Sequence, residues 1–302
     1  MSERDWISRY FKPLASAPGA DGLRDDVAEL AVVEGRIVAT VDALVEGVHF
    51  FPDDPIESVA RKLVRTNVSD IIAKGATPLE ALLPLGWPGQ RPEDDLARFA
   101  AALGEDLACW GARLVGGDTT SSPHGLFLSL TLTGACGPDG PIRRSGARAG
   151  DALWVTGEIG AAYLGYRALK EGRKDDPHIA VYREPSLAPL AIAGLLDACA
   201  TGSMDVSDGL LGDARMLAEA SGLSVTIDLD AVPFAGQPSG LDERLALVSW
   251  GDDYQVLFAA PESVADEIRA YATEGAFRVT RIGTLSPGSG LTAISDGMPV
   301  NL

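Results

Sequence analysis

The chain has 302 residues, of which 46% are hydrophobic, and its formal net charge is -18 at pH 7. This length and composition suffice for a folded chain with one large or two medium domains. Because strong negative charge repels phosphate backbones and anionic lipid headgroups, nucleic acid and membrane surfaces are poor expected partners.

The cysteines and the N-terminus indicate the compartment. Cys109, Cys136 and Cys199 lie far apart without CxxC spacing, so neither a disulfide framework nor a zinc cluster is indicated. The first residues lack the apolar core of a signal peptide, and no apolar run reaches the roughly 18 residues that a spanning helix needs. We therefore expect a cytoplasmic protein.

The first half of the sequence mixes predicted helices and strands. Apolar residues recur at helical spacing over residues 6–14, and the apolar runs VAELAVV and RIVATVD follow, joined by a hairpin turn at 34–35. The pattern predicts helices over 57–74 and 92–111, each closed by glycine. LVGG and LFLSLTLTGAC are predicted strands.

A Gly-, Pro- and Arg-rich stretch, GPDGPIRRSGARAGD, is the candidate domain boundary, and it divides the chain into residues 1–138 and 139–302. Beyond it, DALWVTG is a predicted strand, helices are predicted over 161–171 and 188–200, and strand and helix alternate to about Leu285. We expect an α+β protein with two α/β domains.

Aspartates recur in short motifs beside small residues, namely DDVAEL, TVDALVEGVHF, NVSD, GGDTT and DVSDG. Taken singly, each motif is typical of a turn or a helix N-cap. Taken together, these side chains are hard oxygen ligands of the kind that Mg²⁺ selects, and they predict a multi-metal phosphate site. The candidates are Asp26, Asp42, Asp70, Asp118, Asp205 and Asp208.

Two further features bear on phosphate binding. Gly116 and Gly117 follow a predicted strand and would let backbone amides approach a phosphate, while Asp118 supplies oxygens. Asn67 and Asp70 share a helix face with Lys74, which is equally consistent with an ordinary polar surface.

Several common active-site motifs are absent from the sequence. It has no GxxxxGK[ST] loop, no protein-kinase HRD or DFG set and no GxGxxG opening a helix, so any ATP must be held differently. No nucleophilic Ser or Cys can be matched with a base, so covalent catalysis is not indicated. His49 stands beside two phenylalanines, which by itself favours a structural role.

The motifs DDVAEL, TVDALVEGVHF, NVSDIIAKGATP, LVGGDTTSS, RRSGARAGD, VTG, DVSDGLLGD and GDDYQVLF occur in an order that resembles the thiamine-monophosphate kinase family. That family belongs with the aminoimidazole-ribonucleotide synthetase-like enzymes. The resemblance implies a homodimer in which the N-terminal sheets pair into a barrel, with a C-terminal α/β domain beside it. It also implies transfer of phosphate from ATP to thiamine monophosphate, assisted by several Mg²⁺ ions.

The resemblance assigns roles to individual residues and implies no catalytic side chain beyond the metal and phosphate ligands. The implied metal ligands are Asp26, Thr40, Asp42, Asp70, Asp118, Asp205 and Asp208. The implied ATP contacts are Gly117, Asp118, Arg144 and Ser207, and those to thiamine phosphate are His49 and Asp252.

The sequence departs from the family at several positions. Asp252 stands where relatives usually have Glu, and Gln255 replaces another acid. The sequence ends at Leu302, before the aromatic tail that relatives usually have, so we expect either that Trp250 or another group packs on the substrate instead or that substrate specificity is altered. Two alternatives stay open: another ATP-dependent enzyme of the same superfamily, or a non-catalytic acidic metal-binding homologue.

Overall fold

A computed structural model of the chain describes residues 3–20, 23, 30–31 and 33–302. Asp26 and most of the predicted strand VAELAVV lie outside the described residues. The chain divides into two compact units: Met1–Ile71 with Ala76–Gly140, and Ile72–Gly75 with Pro141–Leu302.

The first unit contains one four-stranded sheet and the helices that cover it. Its helices are α1 (Glu3–Trp6, continued by a π-helical turn, Ile7–Phe11), α2 (Ile56–Ile72) and α3 (Glu93–Cys109). Its strands are β1 (Arg36–Val45), β2 (Thr77–Pro88), β3 (Arg113–Ser122) and β4 (Phe127–Cys136). The strand order is β1-β4-β2-β3, with β4 antiparallel to both neighbours and β2 parallel to β3.

Two amphipathic helices supply much of the core of this unit. Helix α2 buries Leu63, Val64 and Val68 completely, and α3 buries Phe99, whose ring meets that of Trp87 edge-on at 5.8 Å. Each such side chain contributes about 1.5–3 kcal/mol through burial. The predicted helices over 57–74 and 92–111 are therefore confirmed, with each end within two residues of the expected one.

The second unit is built on a seven-stranded sheet of order β11-β10-β7-β9-β5-β8-β6. Its strands are β5 (Asp151–Thr156), β6 (Gly202–Val206), β7 (Leu223–Asp228), β8 (Gln255–Pro261), β9 (Val279–Pro287), β10 (Gly290–Ser295) and β11 (Met298–Val300). Its helices are α4 (Ala161–Lys170), α5 (His178–Arg183), α6 (Ile192–Cys199), α7 (Leu210–Ala220), α8 (Leu241–Ser249) and α9 (Ala265–Glu274).

The helix predicted over 188–200 begins later than expected, at Ile192. Pro189 has no N–H and disfavours helical geometry at the residue before it, so the chain stays irregular through this segment. No helix in the described part of the chain is long and apolar enough to cross a membrane.

Candidate metal and phosphate site

Three of the predicted metal ligands meet where β1 faces α2. Oγ1 of Thr40 donates a hydrogen bond to Oδ2 of Asp70 at 2.5 Å. Burial, and then the charge of Asp70, raise the pKa of Asp42 to about 6, although a hydrogen bond from Thr66 lowers it. Two carboxylates whose charges act on each other in this way form an arrangement that a divalent cation would stabilise.

Asn67 fixes the backbone of β1 beside this pair. The backbone N–H of Asp42 donates to Oδ1 of Asn67 at 3.1 Å, and the Asn67 amide donates to the Leu63 carbonyl at 2.9 Å. Because Asn67 is completely buried, the interpretation of its helix face as an ordinary polar surface is wrong. Thr66, which sequence reasoning missed, is buried next to it and gives no signal in the sequence beyond its position in the helix.

Gly117 and Asp118 lie inside β3, which continues to Ser122, rather than after a strand as expected. A Cβ atom at Gly117 would lie 2.2 Å from the carbonyl oxygen of Leu83 on the adjacent β2. The glycine is therefore required by the pairing of two strands, a reason that the sequence did not suggest. Gly117 and Asp118 are exposed and line a cavity of about 610 Å³ whose other walls include Phe11 and Leu114.

The strand register separates Asp118 from Asp42. Asp42 pairs with Leu130 of β4, and Asp118 pairs with Pro84 of β2, so two strands stand between β1 and β3. Three steps of about 4.8 Å place the two backbones roughly 14 Å apart. Within this unit, Asp118 is therefore too far from Asp42 to share one ion with it.

His49 lies in the turn that follows β1. Its Nδ1 accepts a hydrogen bond from the backbone N–H of Val45 at 3.0 Å, so in the neutral ring Nε2 carries the proton. Nζ of Lys62, a buried residue of α2, donates to the His49 carbonyl at 3.0 Å and holds the turn in place. The imidazole can thus offer an N–H to a phosphate oxygen.

In the second unit, the DVSDG motif forms the connection from β6 to α7. Asp205 is buried at the end of β6, and Ser207 and Asp208 follow it. The backbone N–H groups of Asp208 and Gly209 donate to Oδ2 of Asp213 at 3.1 and 3.2 Å. Asp213, which sequence reasoning missed, is completely buried, and burial raises its pKa to about 6.

The GDDY segment before β8 lies against this connection. The N–H of Asp252 donates to the Ser207 carbonyl at 2.9 Å, and a Cβ at Gly251 would lie 2.1 Å from that same oxygen. Asp252 and Tyr254 both have left-handed backbone angles, with φ of 66° and 50°. Such strain in non-glycine residues is stored preferentially at functional sites.

Asp253 and Gln255, the neighbours of Asp252 along the chain, point into the fold. Asp253 accepts hydrogen bonds from the N–H groups of Gly160 and Ala162 at 2.8 and 3.4 Å, at the start of α4. Burial raises the pKa of Asp253 to about 7. Gln255 accepts from Thr156 at 2.9 Å and donates to the Ser186 carbonyl at 2.5 Å, so this buried amide ties three segments together.

Arg144 lies in a short 3-10 turn at the other end of α7. Its carbonyl accepts a hydrogen bond from Ser221, directly after α7, whereas Ser207 and Asp208 precede that helix. At 1.5 Å per residue, the two ends lie roughly 17 Å apart. The structure therefore does not bring the exposed Arg144 next to Ser207 within this unit.

No group of three or more His, Cys, Asp or Glu side chains in the described residues is arranged to hold a metal ion. The structure brings Asp42 and Asp70 together in the first unit, and Asp205 and Asp208 lie within a few residues of each other in the second. The oxygen donors and the raised pKa of Asp42 fit Mg²⁺ at the first pair.

Comparison with known proteins defines the class of fold. Residues 24–136 match the family model described as AIR synthase related protein, N-terminal domain, and residues 148–296 match AIR synthase related protein, C-terminal domain. The expectation of two mixed α/β domains of the aminoimidazole-ribonucleotide synthetase-like type is confirmed.

Individual relatives narrow this fold class to one enzyme family. The chain is 36% identical to the thiamine-monophosphate kinase of Caulobacter vibrioides, over 99% of this chain and 88% of that protein. The solved thiamine-monophosphate kinase of Stenotrophomonas maltophilia is 30% identical, with a TM-score of 0.83 over 92% of this chain and 91% of that one. The structure of AaThiL complexed with AMPPCP and TMP is 28% identical, with a TM-score of 0.79 over 99% and 95% of the two chains.

The chain belongs to the thiamine-monophosphate kinase family. The resemblance stated from the motifs is thereby confirmed, and so is the expectation of an enzyme of the thiamine-phosphate kinase type.

Proposed function

We propose that this protein transfers the γ-phosphate of ATP to thiamine monophosphate, giving thiamine diphosphate and ADP. The observation that carries the proposal is the 36% identity to the Caulobacter vibrioides kinase over 99% of the chain. AaThiL, a structural relative, has been solved with AMPPCP and TMP, which supports a nucleotide and a thiamine phosphate as the two ligands.

The transfer proceeds directly and in line, without a phosphoenzyme. The second pKa of a phosphate ester is about 6, so near neutral pH the acceptor is mostly a dianion and needs no general base. The difficulty lies in the repulsion between two anions, which fixed positive charge relieves. No catalytic side chain is needed beyond the metal and phosphate ligands.

Several Mg²⁺ ions supply the positive charge when bound. The proposed ligands are Asp26, Thr40, Asp42, Asp70, Asp118, Asp205 and Asp208. The fit is best supported at Asp42 and Asp70, where burial and like charge raise the pKa of Asp42 to about 6. A cation near these two carboxylates would offset both effects.

The remaining groups hold the two substrates. Gly117, Asp118, Arg144 and Ser207 contact ATP, and His49 and Asp252 contact thiamine phosphate. The Nε2 proton of His49 is oriented by the Val45 bond to Nδ1, which suits a donor to the acceptor phosphate. The strained backbone of Asp252 supports a role for that residue in binding.

The protein acts as a cytoplasmic homodimer in which the N-terminal sheets pair into a barrel. Support comes from the exposed apolar residues of the first sheet, Ile37 and Val41 on β1 and Phe127 on β4, which are 49%, 61% and 47% exposed. Residues 1–138 carry dimerisation and metal and ATP binding in this proposal, and 139–302 form the C-terminal domain.

The test is an assay of thiamine diphosphate formation by the purified protein, with and without Mg²⁺ and with each substrate omitted in turn. We expect product only when ATP, thiamine monophosphate and Mg²⁺ are all present. ATP consumption that is independent of thiamine monophosphate would instead favour another enzyme of the superfamily. Absence of any ATP consumption would favour a non-catalytic homologue.

A further inference from the structure

One face of α2 contacts both β1 and the turn that follows that strand. Lys62, Thr66 and Asp70 are spaced four residues apart on α2 and therefore share this face. Nζ of Lys62 donates to the His49 carbonyl at 3.0 Å. Further along, Thr66 forms a hydrogen bond with the Asp42 carboxyl, and the charge of Asp70 acts on the same carboxyl. A single helix thus sets the position of the His49 turn relative to the two carboxylates.

The turn that carries His49 is held by bonds of two kinds. Within the turn, the N–H of His49 donates to the Val45 carbonyl and the N–H of Val45 donates to Nδ1 of His49, both at 3.0 Å. The N–H of Gly47 also donates to the Phe50 carbonyl at 2.9 Å. The bond from Lys62 comes from α2 instead, so it fixes where the turn lies rather than its internal shape.

The burial of Lys62 shows that its charge serves a specific contact. The side chain is only 1% exposed, and an ammonium group loses favourable hydration when it is buried. Methionine would fill a similar space without that cost, because it is unbranched and apolar. Packing of the core alone therefore does not explain a lysine at this position. A charge-assisted hydrogen bond to the His49 carbonyl does explain it.

We propose that Lys62 is a positioning residue for the phosphate acceptor, because its bond to the His49 carbonyl sets where the imidazole lies relative to Asp42 and Asp70. The inference rests on the proposed function, in which His49 contacts thiamine phosphate. Lys62 acts through His49 and does not itself touch the substrate. A small displacement of a group that orients a substrate is enough to weaken binding and slow the reaction.

The first experiment compares Lys62→Met with the wild type and with Arg65→Met. Arg65 is the matched control, because it is a partly buried cation of the same helix whose guanidinium pairs with Asp106 of α3 at 3.0 Å. We expect Lys62→Met to raise the KM for thiamine monophosphate at least about fivefold and to leave the KM for ATP within about twofold. Arg65→Met should lower thermal stability and change neither KM.

A second variant covers the case in which Lys62→Met does not fold. Lys62→Gln keeps a polar group, but its side chain is one atom shorter and does not reach the His49 carbonyl, so the same change in KM is expected. An unchanged KM for thiamine monophosphate in the folded variant would overturn the inference. So would an equal rise in both KM values, or the same rise in Arg65→Met, since either result would indicate a general loss of structure.

The second experiment is a double-mutant cycle with His49→Gln. If Lys62 acts through the imidazole, its removal has little further effect once the imidazole is gone. The KM of the double variant for thiamine monophosphate should therefore lie within about twofold of that of His49→Gln alone. Effects that multiply would overturn the inference, because Lys62 would then act independently of His49.

The third measurement does not depend on turnover. The sequence contains three histidines, so the ring signals of His49 can be recorded by NMR and identified by their loss in His49→Gln. They should shift in Lys62→Met by more than in Arg65→Met, because only the first variant releases the turn from α2. Unmoved His49 signals would overturn the role of Lys62, whereas failure of the wild type to form thiamine diphosphate would overturn the proposed function.

Discussion

Asp42 of β1 is partly buried beside Asp70 of α2, and this burial, followed by the negative charge of Asp70, raises the pKa of Asp42 to about 6. The free protein thus holds a carboxylate in surroundings that disfavour its charge. Titratable groups at binding sites commonly have shifted pKa values, because their surroundings are suited to the ligand-bound protein rather than to the free protein.

Replacing Asp42 with Asn tests that arrangement. We expect Asp42→Asn to lose Mg²⁺-dependent turnover by at least about 100-fold, because the ion loses a charged ligand. Its free energy of unfolding at pH 8 should not fall, and should rise by something on the order of 1 kcal/mol as the repulsion disappears. Kinetic assay and urea unfolding measure the two effects.

The control for that variant is Asp94→Asn, which removes one charge from an exposed position on α3 and should keep normal activity. Asp118→Asn should lose turnover as well, with unfolding nearly unchanged because Asp118 is exposed. Full activity in either purified Asp42→Asn or Asp118→Asn would refute the assignment of that residue as a metal ligand.

The raised pKa of Asp253 predicts how the free energy of unfolding depends on pH. Its folded-state pKa of about 7 lies above its ordinary value of 3.8, so the folded state binds the proton more tightly. The resulting stability is complete below about pH 4 and is lost as the pH rises through 7. From pH 5.5 to 8 we expect the free energy of unfolding to fall by roughly 2 kcal/mol from this group.

Asp253→Asn is the variant that isolates this effect. Asn stays neutral and keeps an oxygen for the Gly160 N–H, so stability should vary less between pH 5.5 and 8 than in the wild type. Urea unfolding at several pH values measures the difference. An unchanged pH profile would show that Asp253 does not carry the titration, leaving Asp42 and Asp213, whose raised pKa values act in the same direction.

Replacing Gly117 with Ala tests whether this glycine is required for strand pairing or for binding ATP. Gly117→Ala would bring a Cβ to 2.2 Å from the Leu83 carbonyl, so we expect a loss of about 1–3 kcal/mol in the free energy of unfolding. Gly89→Ala is the control, since nothing lies within 4 Å of a Cβ there. If Gly117→Ala were as stable as Gly89→Ala but failed to bind ATP, phosphate contact would be the better explanation.

The exposed apolar residues of β1 predict that this face of the first sheet forms a dimer interface. Ile37→Lys places a charge on the sheet surface proposed to meet a second subunit, so we expect sedimentation analysis to show a monomer where the wild type is a dimer. Met298→Lys alters an apolar residue of the second unit that is more exposed than Ile37, 68% against 49%, and should leave the dimer intact. An Ile37→Lys protein that remained dimeric would place the interface elsewhere.

Local sequence patterns were enough to predict helices α2 and α3 and to identify the family. The helical spacing of apolar residues gave α2 and α3, because burying one side of a helix imposes that period on the sequence. The ordered motifs pointed to the correct family, since each motif combines residue types that one chemistry needs within a short span.

The tertiary structure decided which of those motifs lie near one another. Strand register alone puts β4 and β2 between Asp42 and Asp118, and the length of α7 alone separates Arg144 from Ser207. The structural roles of Gly117 and Asp253 also depend on residues far along the chain. Gly117 lies against the Leu83 carbonyl, and Asp253 accepts a hydrogen bond from Gly160. Such contacts depend on how whole helices and strands pack together. They therefore cannot be predicted from the residues next to a motif in the sequence.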